Sequence, residues 1–198
     1  MTTRFFSFSE LTEYRQIASI DEIGRRYLAM NAFDGILTMI GLVMGSFIGG
    51  IDNPRLITFT GLATCLAMGV SGFWGAYMTE AAERKNDLRE LEHAMLRDLG
   101  KTKQARAFRF AVVIVSLIDG LSPVISGATV LIPFFFSNLF GDIRYSYYSS
   151  LAIALLLLFG LGVFLARIAK ENIIRSGLRM LIAGIISVAL SLLLNVKA

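Results

Sequence analysis

Sulfhydryl chemistry is nearly missing from this chain: its 198 residues include one cysteine, Cys65. An intrachain disulfide is therefore excluded, as is a structural metal site built from cysteine thiolates. Cys65 lies inside an apolar run, where it reads as a small packing residue. Proline is almost as scarce, three in all, and none falls between residues 79 and 107. Charge is thin as well: Asp, Glu, Lys and Arg make up 17% of the chain against 55% hydrophobic residues, with a mean hydropathy of +0.65. That balance excludes an ordinary soluble domain.

What is present instead is a series of long apolar stretches: Tyr27 to Ile51, Leu56 to Met78, Phe108 to Phe136, Tyr147 to Ala166 and Ile173 to Val196. At 1.5 Å per helical residue each can cover the ~30 Å hydrocarbon core of a bilayer. The expected fold is an all-α membrane protein with five transmembrane helices, and the expected location is the cell membrane if the source is prokaryotic. No cleavable signal sequence is visible, because the first apolar run begins near residue 27 and is long enough to span.

The basic residues are unevenly shared between the two sides of such a protein. All but three of the 19 lie before span one, in or beside the loop that joins spans two and three, or in or beside the loop that joins spans four and five. Only Arg55, Arg144 and Lys197 fall on the other side. By the positive-inside rule the N-terminus is cytoplasmic and the C-terminus external. The net charge of +4 follows from the same loops, whose basic residues alternate with acids, and does not indicate a nucleic-acid partner.

Four regions result. Residues 1–26 are expected to form an amphipathic helix on the cytoplasmic surface. Ser7-x-x-Glu10 and Ser19-x-x-Glu22 fit capping boxes there, and a break is expected near Gly24. Residues 27–78 hold spans one and two. Residues 79–107 form a cytoplasmic segment rich in helix formers: one helix continuing from span two, a break at Gly100, and a second helix leading into span three. Residues 108–198 hold spans three to five.

Two carboxylates stand inside the apolar runs, in the related phrases Asp34-Gly35-Ile36-Leu37 and Asp119-Gly120-Leu121-Ser122. An ionisable side chain near the middle of a membrane helix costs roughly 2.5–3.5 kcal/mol, so each asks for a partner, and a cation is the natural one. The shared phrase suggests a pseudo-repeat of helices 1–2 and 3–4, with both aspartates facing a central cavity. Asp34, Thr38, Gly41 and Gly45 share one helix side, which is expected to face packed protein rather than lipid. Pro123 removes the helical hydrogen bond to the Asp119 carbonyl, and broken helices of this kind line polar cavities in transporters.

The cytoplasmic segment adds a third group. Glu80, Glu83, Asp87 and Glu90 follow steps of three, four and three along one helix face, with His93, the one histidine, a turn later. Such a face can collect hard or borderline cations. It also fits a solvated helix surface with (i, i+4) pairs such as Glu80 with Arg84.

The first span, N-A-F-D-G-I-L-T-M-I-G-L-V-M-G from Asn31 to Gly45, resembles the first helix of the vacuolar iron transporter family, whose aspartate lies on the metal path. Gly69-Val70-Ser71 through Gly75, Tyr77 and Thr79 to Glu83-Arg84 is similar to its second helix, and Ser122 to Pro133 to its third. The resemblance covers about four fifths of the chain and is closest to the family's short prokaryotic relatives. It implies a proton-coupled transporter that exports iron(II) or manganese(II) from the cytoplasm as a homodimer, with no bound cofactor. Asp34 and Asp119 would hold the ion. The family's second helix usually carries a methionine and a glutamate where this chain has Gly72 and Ala76. Met44 and Met68 are the thioethers available in their place.

Two other classes compete. Lipid phosphotransferases use aspartates and a metal on a diphosphate, but their D-G pair is followed by A-R, whereas Asp34-Gly35 is followed by Ile36-Leu37-Thr38-Met39. A membrane scaffold with structural aspartates would show no metal flux.

Overall fold

The computed structural model describes residues 8–195. Among these there is no strand, and seven helices follow one another: α1 (Phe8–Ile17), α2 (Ile20–Ile48), α3 (Pro54–Met95), α4 (Lys103–Phe135), the single turn α5 (Ser137–Phe140), α6 (Ile143–Ala169) and α7 (Ile173–Asn195). Five are long and apolar enough to cross a membrane: α2, α3, α4 with its short extension, α6 and α7. They coincide with the five apolar runs. The protein is an all-α, integral membrane protein.

Helix starts follow from local chemistry. Asn53 Oδ1 accepts from the Arg55 and Leu56 N–H groups at 3.0 and 3.3 Å, and Pro54 takes the first helical position of α3, where its missing N–H costs nothing. Asn172 does the same for α7, accepting from Ile174 and Arg175. Asp142 caps α6 by accepting from the Arg144 N–H at 2.9 Å.

The helices form two compact units, and α2, α3 and α4 contribute to both. The first takes the chain up to Leu28 together with Val70–Leu121. Its core joins Tyr14, Ala18 and Ile20 to Ala107, Phe108, Ala111 and Val115. The break between α1 and α2 falls at Ser19, whose φ of 49° is left-handed, and not near Gly24. Gly24 lies within α2, where a Cβ would come 2.9 Å from Ile118 Cδ1; its missing side chain serves a close helix approach rather than a turn. The Ser7–Glu10 capping box lies outside the described side chains.

As expected, the helix of span two runs straight on, to Met95. The turn that follows contains Gly100. It is held by Glu92, which accepts from the Leu99 N–H at 2.9 Å, and by Asp98, which accepts from the Gly100 N–H at 2.8 Å.

The second unit takes Ala29–Gly69 and the chain from Ser122 onward. Its core is built from Ile36, Met39, Ile40 and Val43 of α2 with Ile57, Cys65, Val130, Leu131, Phe134, Tyr147, Ala154 and Leu158. In a bilayer, helices gain little from hiding apolar surface and associate through close packing, so bulky side chains seek notches. A Cβ on Gly61 would lie 2.6 Å from Leu131 Cδ1, and one on Gly127 would lie 2.6 Å from Cys65 Sγ and 3.2 Å from Met39 Cγ. At both positions a neighbouring side chain occupies the space, so a larger residue would force Leu131 or Cys65 to shift. Cys65 is the packing residue its setting suggested. At the α6–α7 pairing, a Cβ on Gly162 would meet the Gly177 backbone at 2.7 Å.

Candidate functional site

Asp34 is placed by its neighbour. A Cβ on Gly35 would lie 2.5 Å from Ser126 Oγ and 2.8 Å from Pro123 Cα, so α2 and α4 touch backbone to backbone directly after the aspartate. This contact explains the glycine of the Asp-Gly phrase. On the same helix, Ile36, Met39, Ile40 and Val43 are buried in the core, whereas Asp34, Thr38, Gly41 and Gly45 are exposed. Among the described residues, no atom beyond the local helix backbone and the adjacent residues lies within 4 Å of a Cβ built on Gly41 or Gly45.

The expectation that Asp34 faces packed protein is thus corrected for the single chain. The apolar stripe of α2 carries the larger side chains and packs into the core of the second unit, with Met39 against Gly127 of α4. The small-residue stripe, with its carboxylate, is left open.

Asp119 sits differently. It is buried, at 5% exposure, on the part of α4 that belongs to the first unit. The backbone of Gly72 on α3 backs onto it: a Cβ there would be 3.2 Å from Asp119 Oδ2 and 3.3 Å from the Asp119 carbonyl oxygen. One turn before it, Ser116 is fully buried and donates to the Val112 carbonyl at 2.6 Å.

Met44 lies in the apolar core of the second unit, not on the Asp34 stripe. Met68 is half-buried on α3.

Of the acidic stripe, Glu80 turns inward with 3% of its side chain exposed, beside a largely enclosed Arg84 at 12%. Arg84 Nε lies 3.5 Å from Glu80 Oε2, and the Tyr27 hydroxyl donates to Glu80 Oε1 at 3.2 Å. Arg84 also donates from Nη2 to the Ala18 carbonyl at 3.0 Å, and its guanidinium lies 5.2 Å above the Phe108 ring. Glu80 is therefore half of an internal ion pair that ties the α1–α2 corner to α3. Glu83 and Glu90 face solvent and Asp87 is partly exposed, with Glu90 accepting from Asn86 Nδ2 at 2.8 Å. Among the described residues, no three His, Cys, Asp or Glu side chains gather into a group suited to hold a metal ion.

Comparison with known proteins identifies the family of this chain. Residues 26–106 and 89–195 match the VIT family. The chain belongs to the VIT family. An uncharacterized protein of the archaeon Methanocaldococcus jannaschii is 35% identical over 180 residues, which cover 89% of this chain and 91% of that relative. VIT proteins are membrane transporters of metal ions, so the transporter class read from the sequence stands.

Two features of this VIT chain escaped sequence reasoning. The pairing of Tyr27 with Glu80 joins residues 53 positions apart, and no local pattern announces it. The role of Gly72 was visible only as a departure from the family's methionine, yet it is the residue whose bare backbone lies against Asp119.

Proposed function

We propose that this VIT-family chain carries a divalent metal, iron(II) or manganese(II), out of the cytoplasm in exchange for protons, and that it does so as a homodimer. The observation that carries the reading is the open stripe of α2, on which Asp34 and Thr38 share a face with two unoccupied glycine notches. A carboxylate turned to lipid at that position would cost roughly 2.5–3.5 kcal/mol. Glycines at four-residue spacing with nothing against them are the surface that a second helix packs on closely. A second copy of the same stripe satisfies both conditions, and an isologous pair brings two Asp34 carboxylates to one axis.

Asp34 then supplies hard oxygen ligands for the ion and takes up a proton on the return step. Asp119 is the second carboxylate we assign to the ion's passage, equivalent to Asp34 in the proposed repeat. The acidic face of Glu83, Asp87 and Glu90 raises the local cation concentration before entry. The charge asymmetry supports export, with this face on the cytoplasmic side.

Metal uptake into proteoliposomes, with and without an imposed pH gradient, tests the proposal. Uptake of iron(II) or manganese(II) that is accelerated by the gradient is expected. Flux without any response to pH would remove the proton coupling, and no flux of either ion would leave the scaffold reading.

A further inference from the structure

A second feature of the first unit points to a ligand of another kind. Between α3 and α4 lies a cavity of about 400 Å³. Tyr77, Phe108, Val112 and Val113 give it apolar walls, and Lys85 and Arg109 also line it. Arg84 forms part of the lining too, but its charge is already offset by Glu80 at 3.5 Å.

Lys85 and Arg109 have no such compensation. Among the described residues neither makes an ion pair. Their own helices offer none: three and four residues away from Lys85 stand Ala81, Ala82, Leu88 and Arg89, and around Arg109 stand Ala105, Arg106, Val112 and Val113. Two cations held at one cavity without a carboxylate attract an anion.

The place of the cavity along the helices defines that anion further. The apolar run of α3 ends at Met78 and that of α4 begins at Phe108, so the cavity straddles the level at which both helices leave the hydrocarbon. Tyr77, Val112 and Val113 lie on the membrane side of that level and Lys85 on the polar side. A small hydrophilic anion would leave the apolar wall unused. An amphiphile with an anionic head and hydrocarbon tails uses both.

We propose that this cavity is a binding site for an anionic phospholipid, whose phosphodiester sits at Lys85 and Arg109 and whose proximal acyl carbons lie along Tyr77, Val112 and Val113. Basic pockets between helices at the membrane surface hold lipid headgroups by this combination of charge and apolar contact. The bound lipid bridges α3 and α4 next to the turn that joins them. Neither Asp34 nor Asp119 lines this cavity, and its existence does not depend on the transport reading.

The test uses the full chain in phosphatidylcholine vesicles containing a trace of spin-labelled phosphatidylglycerol or spin-labelled phosphatidylcholine. The electron-spin resonance fraction immobilised on the protein is read for each. The parent protein is expected to favour the anionic label by about fivefold for each uncompensated cation. Lys85→Gln with Arg109→Gln should bring the preference close to one. Lys101→Gln with Arg106→Gln, which removes the same charge from exposed positions outside the cavity, should leave it in place.

Equal immobilisation of both labels by the parent protein would overturn the proposal, as would equal losses in the two double variants. Displacement of the label by millimolar inorganic phosphate would assign the cavity to a free anion. A shift in oligomeric state on Lys85→Gln and Arg109→Gln, with lipid preference unchanged, would assign it to a second copy. Either result also overturns the lipid site.

Discussion

Gly72 lies directly against Asp119, with room for a hydrogen at the α-carbon and for little else: a Cβ would sit 3.2 Å from the carboxylate Oδ2 and 3.3 Å from the carbonyl oxygen. The carboxylate can shift by a few tenths of an ångström, but the carbonyl belongs to the backbone of α4 and cannot follow as easily. Gly72→Ala therefore sets a helix-propensity gain of up to ~1 kcal/mol against an overpacking cost of ~1–3 kcal/mol. A small net loss of thermal stability in detergent is expected. Gly72→Leu should lower the melting temperature strongly. A variant with leucine at 72 and parental stability would show that α3 and α4 are not in contact there.

The open glycines of α2 predict the opposite pattern. A Cβ on Gly41 or Gly45 has open space around it, and leucine replaces two poor helix formers there. The protomer should keep its melting temperature. If a second copy packs on this stripe, the same change must separate the pair, and light scattering of the detergent complex should fall from dimer to monomer mass. A dimer that survives both leucines would place its interface elsewhere.

Glu80 and Arg84 are enclosed together, so removing one strands the other. Breaking a buried pair by removing one partner costs roughly 3–5 kcal/mol, whereas replacing both with apolar residues of similar size is often close to neutral. Glu80→Leu and Arg84→Met should each destabilise the protein markedly, and the double change should recover most of the loss. Strictly additive effects in this double-mutant cycle would mean that the two side chains do not act as a pair.

The other carboxylates of the stripe are more open to solvent, although Asp87 lies 3.9 Å from Arg84 Nη1 and Glu90 accepts from Asn86 Nδ2. Replacing Glu83, Asp87 and Glu90 together by Gln should reduce metal uptake at low concentration, by several-fold, and leave the saturated rate near that of the parent. This is the behaviour of a region that concentrates ions by its field. Uptake unchanged at every concentration would identify the face as solvated surface only.

The five spans could be read directly from the chain because each needs about 20 consecutive apolar residues, a signal that tertiary packing does not erase. The turn around Gly100 was legible for a similar reason, as the one weak point in a run of strong helix formers. Gly24 misled because glycine marks breaks and close approaches alike, and only the neighbouring Ile118 distinguishes them. Asp34 illustrates a deeper limit. Its periodicity showed that Thr38, Gly41 and Gly45 share its side, but α2 has two stripes, and packing within the chain selects the bulkier one. The acidic stripe likewise disclosed four carboxylates on one face without showing that Glu80 turns inward. Arg84 four residues later was the available sign, and the expected Glu80–Arg84 pair is present at 3.5 Å.

Asp34→Asn is the most direct test of the central claim, since it keeps the shape of the side chain and removes the charge. Expression and melting temperature should equal or exceed those of the parent, with the particle mass in detergent unchanged, because a carboxylate no longer has to be accommodated in the bilayer. Iron(II) or manganese(II) flux into proteoliposomes should fall to the level of protein-free vesicles. Flux at the parental rate from a well-folded Asp34→Asn protein would contradict the account, and Asp34 would then be a structural residue.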